Sequence, residues 1–65
     1  MQIRDEGEKV REVSGLKVVT VQRRDVKGDA VTEEFVEYTV HGRTRDWKDW
    51  CPLVRFRELN PGVEV

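Results

Sequence analysis

The sequence predicts an all-β fold, a small barrel or a curled antiparallel sheet of four to five strands, and three observations carry that expectation. β-Branched residues crowd the runs 16–23 and 30–40, and they suit a pleated, half-buried surface better than a helix. Within 30–40, alternate positions sort into two sets, one of which ends in Val36, Tyr38 and Val40 and so reads as a core-facing stripe. Residues with turn chemistry recur at close spacing, at Ser14 and Gly15, Asp25 to Asp29, Gly42, and Asn60 to Gly62, as expected for short strands joined by tight reversals.

Taken in order, residues 1–7 are mostly polar with no clear period, and read as a frayed start to a single domain spanning 1–65. Residues 9–13 form a short strand, and Ser14 with Gly15 reverses the chain, since glycine accepts positive φ at no steric cost. The strand 16–23 and the run 30–40 then make a hairpin across the 25–29 turn. A helix is the competitor for 30–40, with Thr32 as its N-cap, but Val, Thr, Phe and Tyr outnumber the glutamates that would favour it. Phe35 falls on the face opposite Val36, Tyr38 and Val40. Residues 41–46 are a polar connection. Pro52 cannot donate to a sheet ladder, so 47–52 reads as a loop, one helical turn or an irregular edge. Residues 53–57 read as the last long strand, with Val54 and Phe56 on one face, and 63–65 as a short closing strand or a trailing end.

A chain of 65 residues buries only roughly 60% of its unfolded surface. Its core gains rarely more than roughly 3 to 5 kcal/mol, a deficit that small domains often offset with disulfides, a metal or a partner chain. Cys51 is the only cysteine and His41 the only histidine, so neither an internal disulfide nor the four ligands of a structural zinc site can be assembled from them. Self-association stays open. The longest stretch free of polar side chains, Trp50 to Val54, is far short of the roughly 20 residues that span a bilayer. The start lacks the apolar run of a signal peptide, and the expected location is cytoplasmic, with no membrane partner.

Twelve Lys and Arg against thirteen Asp and Glu leave no global field to draw the chain to nucleic acid. Cys51 and His41 could supply a nucleophile and base, but no motif surrounds either. Cys51 reads instead as a small hydrophobe beside the core, and His41 as a solvated strand end. Glu33, Glu34 and Glu37 lack the spacing and loop glycine of a calcium site, and read as a solvated strand face. No cofactor is expected. The most informative stretch is 41–57, where Arg43, Arg45, Lys48, Arg55 and Arg57 interleave with Trp47, Trp50 and Phe56. Cations and aromatic faces together bind single-stranded nucleic acid. Trp and Arg are equally favoured at the centres of protein interfaces, and the tryptophans could simply cap a small core.

Residues 7–21, with Gly7-Glu8 ahead of a short strand and Ser14-Gly15 ahead of a second, resemble the opening of small SH3-like barrels, including the uncharacterised bacterial YodC-like family. Phe56-Arg57-Glu58-Leu59 is similar to the closing segment of such barrels. The resemblance touches about a third of the chain. Leu16 stands where the family tends to have a second glycine, and Glu37-Tyr38-Thr39 where it has Cys-x-Trp. The resemblance implies an SH3-like barrel and carries over no functional residue. The expected function is therefore that of a non-enzymatic interaction module, holding a protein partner or a second copy of itself. The binding residues would be Arg43, Arg45, Trp47, Lys48, Trp50, Arg55 and Arg57, and the alternative is a nucleic-acid-binding barrel using the same segment.

Overall fold

In the computed structural model, which describes all 65 residues, the longest hairpin pairs β2 (Val10–Arg24) with β3 (Ala30–His41). Its turn is built by Asp25, whose Oδ1 accepts the N–H groups of Lys27 (2.8 Å) and Asp29 (2.9 Å), while Gly28 takes φ +83°. β4 (Asp46–Pro52) lies antiparallel beside β3, and β1 (Gln2–Arg4) beside the start of β2. The order β1-β2-β3-β4 leaves β1 and β4 as edges, so the all-β expectation holds as a curled, four-stranded half-barrel. A short helix, α1 (Leu53–Leu59), packs into its concave side.

Four local expectations need correction. Ser14 and Gly15 do not reverse the chain. Gly15 does take positive φ (+68°), but inside one continuous strand, where the register slips between Ser14 and Lys17. This is a β-bulge, which bends a strand and increases its twist, and here it curls β2 so that residues 10–12 reach β1. Residues 1–7 are not all frayed: Ile3 sits at 2% exposure in the core, and the chain from Gln2 to Arg4 pairs with β2. Residues 47–52 are not irregular but are ladder strand, ending at the proline that cannot extend it.

The fourth correction is 53–57, which is helix rather than strand. Leu53 and Phe56, three apart, are its buried residues, and short apolar runs read equally well with either period. Val54, expected to share a face with Phe56, is 72% exposed. Residues 63–65 form no strand, although Val63 packs against the core.

The core is Ile3, Val13, Val36, Tyr38, Val40, Cys51, Leu53 and Phe56, drawn from all five elements. Val36, Tyr38 and Val40 face it as their alternation requires, and Phe35 lies on the other face. Tyr38 and Phe56 rings meet at 6.4 Å between centroids, within the range where tilted aromatic pairs attract. Asn60, at the end of α1, is the one buried polar residue. Its Oδ1 accepts from Arg4 N (2.7 Å) and its Nδ2 donates to Arg4 O (2.7 Å) and Phe56 O (3.2 Å). The side-chain amide thus acts on β1 as a one-residue strand partner.

Asn60→Ala should lower stability by about 2 kcal/mol, because it orphans both backbone groups of Arg4. Asn60→Asp should recover only part of that, since a carboxylate can accept from Arg4 N but cannot donate to Arg4 O. The midpoints of urea unfolding measure both.

Candidate functional site

The β3–β4 hairpin gathers most of the candidate residues. Its loop is closed by Gly42 N–H donating to Arg45 O (3.0 Å), which fixes the phase of the ladder. Residues 47, 49 and 51 turn their backbone groups to β3, and Asp46, Lys48 and Trp50 turn theirs outward to the free edge. The Trp50 N–H accordingly finds no strand and donates to the Asp49 carboxylate (2.9 Å). Side chains divide by face in the same alternation. Trp47, opposite Val40, lies on the core side at the margin of the sheet, 39% exposed. Lys48 and Trp50 lie on the outer face, with Trp50 50% exposed. Arg43 and Arg45 are in the loop, and Arg55 and Arg57 are on α1.

Trp47 lies over Gly42. A Cβ at position 42 would come within 2.6 Å of both the Trp47 ring and the Arg45 carbonyl oxygen, so glycine is required by space and not by φ. Gly42→Ala should cost about 1 to 3 kcal/mol, as overpacking does, and should shift the tryptophan emission.

Glu37 organises the outer face. One carboxylate oxygen faces Lys48 Nζ (3.1 Å) and Lys17 Nζ (3.8 Å), and the other accepts from the Trp50 indole (3.4 Å), so β2, β3 and β4 are joined through one side chain. The Lys48 contact, ahead of the Trp50 hydrogen bond and the charge of Lys17, holds the Glu37 carboxyl below its usual value despite partial desolvation. Desolvation would raise the Asp5 carboxyl, but Arg11 and the N–H groups of Lys9 and Gly7 outweigh it and hold it low. A carboxyl lowered on folding contributes stability above its unfolded pKa, and that contribution is lost as pH falls through the folded value. The domain should therefore weaken on acidification below about pH 4.5. Glu37→Gln should flatten that loss, as read from thermal midpoints between neutral and acid pH.

Arg55 bridges Glu8 and Glu58, both at 3.3 Å, whereas Arg43, Arg45 and Arg57 have no acidic partner within ion-pair distance. Glu33 binds Arg23 (2.7 Å) on the outer face, and Glu34 lies on the opposite one. No three His, Cys, Asp or Glu side chains are gathered to hold a metal ion, and no helix is long and apolar enough to cross a membrane.

Cys51 is fully buried, and burial pushes its thiol up to about 11. His41 is five register positions away along β4, roughly 17 Å at strand rise, so the two are not brought together. His41 instead joins a row that the sequence reading missed: Ser14 Oγ lies 2.8 Å from its Nε2, and Asp46 Oδ2 lies 3.2 Å from its Nδ1. The connectivity is that of a serine nucleophile, base and orienting acid. It lies on the exposed outer face, however, and none of the surface clefts is lined by any of the three. Only the β2–β3 register, which sets Ser14 two positions from His41, brings the row together, and sequence spacing gives no sign of it. The largest cleft, of about 720 Å³, lies elsewhere, between the β2–β3 stem and the start of α1, with Thr20, Thr32, Phe35, Leu53 and Val54 in its walls.

No protein-family model, curated protein or solved structure matches this chain.

Proposed function

We propose that the chain is a non-enzymatic interaction module of the cytoplasm that holds a protein partner, or a second copy of itself, along the β4 edge. The observation that carries this reading is the coincidence on one strand of an unpaired backbone edge with two tryptophans at 39% and 50% exposure. Exposed edges template pairing with another strand, and half-buried indoles beside them add contact area of the kind that dominates interfaces. Catalysis is favoured less: the thiol is buried and protonated, and the Ser14, His41 and Asp46 row has no cleft beside it to seat a substrate. Nucleic acid is also favoured less, because Lys48 and Arg55 are neutralised by Glu37, Glu8 and Glu58. The remaining arginines are divided between the β3–β4 loop and α1.

A photo-crosslinking side chain in place of Trp50 should form adducts in living cells, and one in place of Val26, at the exposed hairpin tip, should not. Adducts of equal yield at both positions, or none at 50, would reject the reading. Nucleic acid crosslinked at 50 would replace it with the alternative.

A further inference from the structure

We infer that the partner of the β4 edge is β4 of a second copy, joined antiparallel about a two-fold axis at Trp47 in one register fixed by charge. The inference rests on the reading of β4 as a binding edge and names its occupant. The segment Arg45-Asp46-Trp47-Lys48-Asp49 is antisymmetric in charge about its central tryptophan. When it runs antiparallel against itself with Trp47 opposite Trp47, each Asp46 faces Lys48 of the other copy, whose ammonium keeps Glu37 and has donors left for a second carboxylate, and each Arg45 faces Asp49 of the other copy. Four opposite-charge pairs result, two on each face of the joined sheet. Directly opposed residues are the ones that interact most strongly across strands, and like charges there repel.

The backbone agrees with this register. A two-fold normal to the sheet sets even-numbered residues against even-numbered ones, and Asp46, Lys48 and Trp50 are the positions whose N–H and C=O groups already point outward. Asp46 and Lys48 would form hydrogen-bonded pairs, and Trp50 would pair with Thr44 of the second copy. The Trp50 N–H would then pass from the Asp49 carboxylate to a backbone carbonyl, leaving that carboxylate for Arg45. Trp47 falls at the non-hydrogen-bonded position, where opposed side chains come closest, and it is one of the exposed large hydrophobics.

Neighbouring registers are penalised. Sliding by two residues one way sets Lys48 against Lys48, and the other way sets Asp46 against Asp46. Sliding by one brings inward-facing backbone groups to the edge and fails to pair at all. Charged residues on an edge strand ordinarily oppose chance pairing, and here the same charges leave one arrangement open.

Sedimentation equilibrium from low micromolar to millimolar concentration should show a monomer–dimer equilibrium for the natural chain. Lys48→Asp leaves two aspartates at 46 and 48, and Asp46→Lys leaves two lysines, so each alone should associate about tenfold or more weakly. Mixed one to one, the two should restore dimers as heterodimers. Because Lys48→Asp removes the ion pair with Glu37 and Asp46→Lys the contact with His41, Arg45→Asp and Asp49→Arg form a second complementary pair for the same measurement. A monomer throughout, single variants that associate as tightly as the natural chain, or mixtures that restore nothing in either pair would overturn the inference. In that event, crosslinks from position 50 to a different protein would leave the reading of β4 as a binding edge standing, and no crosslinks at all would remove both.

Discussion

The three hydrogen bonds of the Asn60 side chain hold together the two parts of this protein least able to stand alone. α1 has seven residues, too few to persist without tertiary contacts, and β1 has three. Ile3 from β1, and Leu53 and Phe56 from α1, supply three of the eight core side chains, so the concave side of the sheet is filled only if both elements are in place. Hydrophobic burial draws them in without fixing their relative position. The amide of Asn60, donating to and accepting from the same residue of β1, sets the height of the helix end against the sheet edge. It also satisfies backbone groups that would otherwise be left unpaired beside the core.

What was legible in the sequence was the part governed by period and turn chemistry. The alternation that ends in Val36, Tyr38 and Val40, and the Asp25 to Asp29 turn, are local signals with one outcome. Gly15 was misread because positive φ serves a bulge as well as a reversal, and only the pairing of β3 across it decides which. The Trp47 to Pro52 strand was hidden because its residues mix charge and aromatics on both faces. That is what an edge strand at the margin of a core looks like, and β3 imposes the conformation. Leu53 to Leu59 was hidden by length, since Leu53 and Phe56 are separated by one helical turn and too little sequence follows to establish a period. Ile3 shares its polar run with no apolar side chain but Met1, and its burial depends on the bulge and on Asn60, both far away in sequence.

Of the candidate binding residues, the hairpin brings Trp47, Lys48 and Trp50 together with Arg43 and Arg45, while Arg55 and Arg57 belong to the helix. The division follows from Pro52, where the chain leaves the ladder. Charge in this small domain is arranged across strands, with Glu37 answering cations on both sides and Asp5 answering Arg11. A near-neutral composition therefore conceals an uneven surface, with paired charges along the strands and unpaired cations that include Arg43 and Arg45 in the β3–β4 loop and Arg57 on α1.

The β2–β3 stem runs on beyond its neighbours. β4 reaches only as far along β3 as Phe35, and β1 only as far along β2 as Glu12, so Thr20 to Arg24 and Ala30 to Glu34 form a ribbon two strands wide, in a molecule 42 Å in its longest dimension and 19 Å in its shortest. Two-stranded ribbons are marginal in water, and this one is held by the Asp25 turn and the Arg23 to Glu33 pair rather than by a core. Its amide protons would then exchange with solvent through fraying from the tip, while those flanking Val36 and Tyr38 would exchange only when the whole domain opens. The protein has two stiffnesses, a clamped base and a yielding arm, and the largest surface cleft lies at the joint between them.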